Sequence, residues 1–180
     1  VGKYGTFVQK ALEKAGGLDI KYICPLHGLV WRDNFGYILD KYTHWATYEP
    51  EEDGVLIVYA SMYGNTEFAA QALAAKLCEA GITNISLRDV SNTHVSVLIA
   101  EAFKYSNIVL ASVTYNLGVY PPMQNFIEDM KALNVQNRAV SIIDNGSWAP
   151  QAGEKMEKYL DEEMKLMDVL PEQLNMVSSL

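Results

Sequence analysis

The 180 residues predict a doubly wound α/β protein: a mostly parallel sheet covered by helices on both faces, preceded by a short α/β segment of different character. Three observations carry that prediction. After residue 54 the chain alternates between apolar strand-like runs and helical stripes, repeatedly and at short intervals. Some of those runs are apolar throughout, as strands buried on both faces must be, whereas others alternate with polar residues, as edge strands do. Finally, Glu49-Pro50-Glu51-Glu52-Asp53-Gly54 is charged and broken by Pro and Gly, which reads as an exposed linker and places a boundary near residue 50.

Taken in order, Phe7 and Leu12 belong to a short helix that Gly16-Gly17 stops. A brief strand is expected at Ile20-Lys21-Tyr22-Ile23, then a turn through Cys24-Pro25-Leu26-His27-Gly28. Tyr37, Ile38, Tyr42 and Trp45 fall at helical spacing over residues 34–48. The first strand of the sheet is the apolar run 55–60, and Ala69, Ala72, Leu73, Leu77 and Ala80 form a helical stripe stopped by Gly81. That stripe includes Cys78, which is expected in the core. Residues 84–88 alternate and read as an edge strand, 94–104 as a helix, and 108–111 as a second fully apolar strand. Pro121-Pro122 starts a helix to residue 133, residues 139–143 make a fourth strand, and 151–164 a fourth helix. Residues 175–177 are short enough for an edge strand. With strands two and five at the edges, the order is 2-1-3-4-5.

Composition narrows the function. Fourteen Lys+Arg against twenty-two Asp+Glu give a formal charge of -8, the wrong sign for a nucleic-acid binder that must neutralise phosphates. The longest apolar stretch, 55–63, is far below the ~20 residues that span a bilayer, so no membrane partner is expected. Cys24 and Cys78 lie 54 positions apart with no CxxC pair, which excludes a disulfide scaffold or a cysteine metal site and fits the reducing cytoplasm.

In the order 2-1-3-4-5, ligands bind at the carboxyl ends of the central strands, where the chain reverses direction. The loop after strand one is Ser61-Met62-Tyr63-Gly64-Asn65-Thr66. Hydroxyls at both ends, a glycine for close backbone approach and the amides of a helix start make a receptor for a phosphate dianion, without any Lys or Arg. Neither GxxxxGK[ST] nor GxGxxG occurs in the chain, which removes the common nucleotide-triphosphate and dinucleotide loops. A phosphorelay receiver needs acidic residues after strands one and three, where this chain has Ser61, Met62, Ser112 and Thr114. The loops after strands three and four, Ser112-Val113-Thr114-Tyr115-Asn116-Leu117-Gly118-Val119-Tyr120 and Asp144-Asn145-Gly146-Ser147-Trp148, mix aromatic rings with small polar groups. A flat ring system with polar edges asks for that composition.

The first loop resembles the hydroxyl-x-hydroxyl-Gly-x-Thr phosphate loop of flavodoxins, which bind flavin mononucleotide (FMN). Residues 59–67 are similar, more narrowly, to that loop in flavodiiron proteins. Ser112-Val113-Thr114-Tyr115-Asn116 resembles their second flavin loop, with Val113 where proline is usual, and Gly118 follows it; Asn145-Gly146-Ser147-Trp148 resembles the third. Upstream, Pro25-Leu26-His27-Gly28-Leu29-Val30-Trp31-Arg32 resembles the stretch that ends their β-lactamase-like diiron domain, in which the histidine is the last iron ligand.

This resemblance covers essentially the whole chain and implies a flavodoxin-like fold, FMN held by the three loops, and His27 as one ligand of an iron site. It also implies a domain remnant over 1–50 and an FMN-binding unit over 51–180. That unit is expected to stop short of its closing helix. The remaining iron ligands have no counterpart here: His27, His44 and His94 are the only histidines, and one histidine cannot hold two irons. By the same resemblance, the flavin would take electrons from rubredoxin or a similar donor and pass them to the diiron site of a partner subunit that reduces dioxygen or nitric oxide. Such proteins work as head-to-tail homodimers. The acidic balance would hold the flavin at low potential by disfavouring its reduced anion. Two other readings stay open on the residues: a free-standing flavin or quinone reductase, and an interaction module without flavin.

Overall fold

In the computed structural model, residues 1–164 and 167–177 are described. Helix α1 (Gly5–Ala15) and helix α2 (Phe35–Thr47) form the leading segment, followed by β1 (Glu52–Ala60), α3 (Asn65–Glu79), β2 (Ile85–Asp89) and α4 (Val95–Lys104). The chain continues through β3 (Tyr105–Tyr115), β4 (Gly118–Val119), α5 (Pro121–Ala132), β5 (Arg138–Asn145), α6 (Ala152–Glu163), β6 (Met167–Val169) and β7 (Leu174–Met176). The sheet order is β2-β1-β3-β5-β6, with β7 also pairing β5 and β4 pairing β3. Apart from the antiparallel β3–β4 pair, every pairing is parallel. The order is that of a flavodoxin-like sheet, with β5 in the fourth place and β6 and β7 sharing the fifth.

Strand alternation divides the core between two faces. On one face Leu56, Val58, Ile108, Leu110, Val140 and Ile142 pack beneath α4, α5 and α6 with Leu98, Phe126, Met156 and Leu160. On the other Val55, Ile57, Val109, Ala111 and Ile143 meet α3 through Ala70. The second face is the less covered. A groove of about 820 Å³ runs between α3 and the sheet, lined in part by Leu73, Leu77, Val55, Val109, Ile143 and Leu174.

Several expectations need correction. Residues 20–23 form no strand; only Ile23 pairs, in an isolated bridge with Trp31. The expected linker is folded: Glu52, Asp53 and Gly54 extend β1, and Glu51 is held by the Trp45 indole and by Lys41 at 2.7 Å. Gly54 is buried because an added Cβ would stand 2.7 Å from Asn84. Cys78 is exposed, since the stripe of α3 carries small alanines that bury little and the cysteine lies off its inner side. The fifth strand is two short strands, broken at Pro171, which has no amide hydrogen for the ladder.

Candidate functional site

Three loops meet where they were expected, at the carboxyl ends of adjacent parallel strands. Ala60 lies beside Ser112, Ser112 beside Asp144, and Val113 beside Asn145, so β1, β3 and β5 deliver their following residues to one edge of the sheet.

The first loop turns sharply. Gly64 adopts a φ of +87° as the N-cap of α3, a conformation that suits glycine, and its amide donates to Ser61 Oγ at 3.0 Å. Phe68 N then donates to Gly64 O at 2.8 Å, so the helix is formed from its first turn. No side chain caps it. Beneath this start, Thr66 and Asn145 are both buried, and Asn145 Nδ2 donates to Thr66 Oγ1 at 3.1 Å. Among the described residues, Asn145 Oδ1 has no hydrogen-bond partner, in a side chain only 3% exposed. The charges nearby are negative. Burial, followed by the neighbouring Glu67 and Asp89 carboxylates, raises the Tyr59 hydroxyl pKa at the end of β1.

What reads in sequence as a long second loop is a hairpin. Thr114 pairs with Val119 and Tyr115 with Gly118, and the two-residue turn places Asn116 and Leu117 at φ +50° and +59°. Asn tolerates that region well; Leu117, lacking a side chain that can bond locally, carries of the order of 1 kcal/mol of backbone strain. The Tyr115 ring packs edge-on against Tyr120, with centroids 5.9 Å apart. In the third loop Gly146 donates its amide to Met176 O at 3.0 Å, tying β7 to the site, and a Cβ there would meet Pro150 at 2.9 Å.

The predicted residues thus divide by environment. Met62, Tyr63, Gly64, Asn65, Tyr115, Asn116, Ser147 and Trp148 are exposed around the edge, Ser61, Val113, Thr114 and Gly118 are half-buried, and Gly146 is buried. Trp148 is 92% exposed and Tyr63 80%, so both rings are free to stack on a ligand. Ser112, Thr66 and Asn145 lie underneath. Ser112 Oγ turns back to the carbonyl of Val113 at 3.0 Å. Thr114 also turns inward: its hydroxyl donates to Asp144 Oδ1 at 2.9 Å and accepts from the amides of Gln151 and Ala152 at 2.9 and 3.0 Å. Asp144, fully buried, was missed as a candidate, because its partners lie 30 positions back and in the next helix.

His27 is far from this edge in sequence and stands exposed on the leading segment. Among the described residues, no group of three or more His, Cys, Asp or Glu side chains is placed to hold a metal ion. His94 caps α4, its Nδ1 accepting from Ser96 N at 3.2 Å, and His44 lies 3.7 Å from Asp40. No described helix is long and apolar enough to cross a membrane.

An uncapped helix start, a tight glycine turn above it and an unpaired buried amide oxygen fit a phosphorylated ligand held by neutral donors, and the exposed rings fit a flat one. Known proteins agree. Residues 57–167 match the Flavodoxin family. The anaerobic nitric oxide reductase flavorubredoxin of Klebsiella pneumoniae is 26% identical over 146 residues, 81% of this chain and 30% of that one. The rubredoxin oxygen:oxidoreductase of Desulfovibrio gigas superposes with a TM-score of 0.81 at 25% identity, over 98% of this chain and 44% of that one. The flavodiiron protein of Giardia intestinalis shares the fold with a TM-score of 0.88 at 22% identity, again over 98% and 44%. The chain therefore spans less than half the length of these relatives. FMN is the cofactor of flavodoxin domains and of their flavodiiron relatives. With its strand order, its three loops and well over half its length matched, the chain belongs to the flavodoxin family and is homologous to flavorubredoxin and the flavodiiron proteins.

Proposed function

We propose that this chain is the FMN-binding electron-transfer part of a flavodiiron-type oxygen or nitric oxide reductase, taking electrons from a rubredoxin-like donor and passing them toward a diiron site outside residues 1–180. When bound, FMN supplies the one- and two-electron redox chemistry. The chain's residues supply its seat. The observation that carries this reading is a contrast among the helices that begin at the carboxyl edge of the sheet. His94 caps α4, Pro121-Pro122 removes two donors from the start of α5, and Thr114 caps α6 from another strand. The start of α3 alone among these four has its amides uncommitted, above the unpaired Asn145 Oδ1. A phosphate seated there would accept from the amides of Asn65 and Thr66 and from Ser61, with Met62, Tyr63, Tyr115, Asn116, Gly118, Ser147 and Trp148 around the ring system.

Residues 1–50 are read as the tail of the β-lactamase-like diiron domain, with His27 its iron ligand. Tyr4, Phe7, Leu18, Tyr22, Leu26 and Leu29 are all exposed on this segment, which supports a surface that packs against further chain. The groove along α3 supports a closing helix for the 51–180 unit. A head-to-tail homodimer in the cytoplasm completes the reading.

The first experiment is a flavin titration of the purified chain. Wild type should take up one FMN. Gly64→Val forces a β-branched residue to positive φ and should weaken FMN binding by at least about tenfold, or about 1.4 kcal/mol. Unchanged FMN affinity in that variant refutes the phosphate loop, and failure of a reduced rubredoxin to bleach the bound flavin refutes the electron donor.

A further inference from the structure

We infer that Asp144 is a positioning residue of the flavin site, acting in two ways: through Thr114 it locks the second loop to the start of α6, and with its buried charge it lowers the affinity for reduced relative to oxidised FMN. This rests on the FMN reading above and assigns a role to a residue that was not among the predicted ligand contacts.

The geometry leaves Thr114 no other task. A threonine hydroxyl has one hydrogen to donate and two lone pairs to accept with. Here the hydrogen goes to Asp144 Oδ1 at 2.9 Å, and both lone pairs are taken by the amides of Gln151 and Ala152. The side chain expected to touch flavin is saturated by the protein. It joins the end of β3, the end of β5 and the start of α6, three elements adjacent to the site.

Asp144 is only 1% exposed. The first turn of α6 lies directly on it: a Cβ at Gly153 would stand 3.0 Å from Asp144 Cβ and 3.3 Å from Oδ2. The twelve-residue helix α6 thus begins against the carboxylate, where its dipole favours a negative group. Charge held in the interior acts over longer distances than charge at the surface, because water screens it less. Asp144 pairs across the sheet with Ser112, and its chain neighbour Asn145 bonds Thr66 under the phosphate loop. The carboxylate therefore sits between the second and third flavin loops, where it opposes added electron density on the ligand.

Two variants separate the lock from the charge. Asp144→Asn keeps an oxygen to accept from Thr114 and removes the charge. It should bind oxidised FMN within about threefold of wild type but shift the ratio of reduced to oxidised affinity by about tenfold, some 30 mV for the two-electron couple, toward a more positive potential. Thr114→Val keeps the shape and removes all three bonds. In the flavin-free protein it should speed amide exchange at Gln151 and Ala152 by at least about tenfold, and Thr114→Ser should restore protection. An unchanged potential in Asp144→Asn overturns the charge role, and unchanged exchange in Thr114→Val overturns the lock. Those exchange rates are measured without flavin, so failure of wild type to bind FMN overturns the FMN reading and the charge role while the lock is judged separately.

Discussion

Arg138 carries a guanidinium into the interior without a carboxylate partner among the described residues. It is 2% exposed, and its nitrogens donate to the carbonyls of Ala102, Phe103, Tyr48, Gln136 and Asn137. Two of those carbonyls belong to the last turn of α4, which no longer has helical donors for them, so one side chain serves as a long-range cap. Burial lowers its pKa to about 10 against the opposing pull of Glu49 and Glu51, which still leaves it charged at neutral pH. Because its folded pKa lies below the unfolded value, stability from this group changes only above about pH 10, and rises there. Arg138→Met should cost about 2–4 kcal/mol at any pH from 5 to 9, since it leaves several buried carbonyls unpaired. Urea unfolding at pH 7 checks it. A cost under about 1 kcal/mol would mean that water replaces the guanidinium. Nothing in the sequence marks this arginine: it opens an apolar strand, and three of its five partners, Phe103, Ala102 and Tyr48, lie 35 to 90 positions away.

Elements are joined with equal economy at the sheet's edge. Strand β2 is held to α4 by Arg88, whose Nε lies 2.9 Å from Glu101 Oε2, and by Ser86 Oγ donating to the same oxygen at 2.9 Å. Burial alone would raise the Glu101 pKa, but the bonds from Arg88 and Ser86 and the charge of Arg88 outweigh it, leaving the carboxyl below its usual range. A lowered carboxyl pKa stabilises the fold above the unfolded value of about 4.3 and loses that contribution as pH falls through the folded value. Glu101→Gln should therefore cost about 1 kcal/mol at pH 7, the screened worth of a half-buried pair, and progressively less as pH falls below the usual carboxylate range. Thermal melts of both proteins across that range provide the test, and a pH-independent difference would show that the pair acts by packing. The edge position of β2 was readable, since residues 84–88 alternate. The β3–β4 hairpin was not, because its turn is Asn116-Leu117 rather than the Asn-Gly that announces such a turn.

At the scale of the whole molecule, what could be read follows from what is local. Apolar runs and helical stripes placed all the central strands and helices, and the glycine turn and hydroxyls of residues 61–66 placed the candidate phosphate seat. What could not be read depends on contacts distant in sequence: the lock of Thr114 onto Asp144 and α6, the tie from Gly146 to Met176, and the junction between the leading segment and the sheet. That junction centres on Tyr48. Its backbone, at φ +62°, ends α2 and offers its carbonyl to Arg138 at 2.8 Å, while its hydroxyl accepts from Gly5 N at 3.2 Å and donates to Gly2 O at 2.9 Å. Nearby, Gln9 Nε2 donates to Ala46 O at 2.7 Å. The tyrosine thus connects α1 to α2 by its hydroxyl and α2 to the sheet by its backbone. Tyr48→Phe keeps the ring against Phe103 and the bond to Arg138, and strands the buried Gly5 amide at a cost of about 1–2 kcal/mol. The loss should be local: amide exchange and proteolysis should quicken within residues 1–15, while strands β1, β3 and β5 keep their protection. Equal loosening of those strands would mean that the leading segment and the sheet unfold as one unit, and that the boundary near residue 50 has no energetic meaning in this chain.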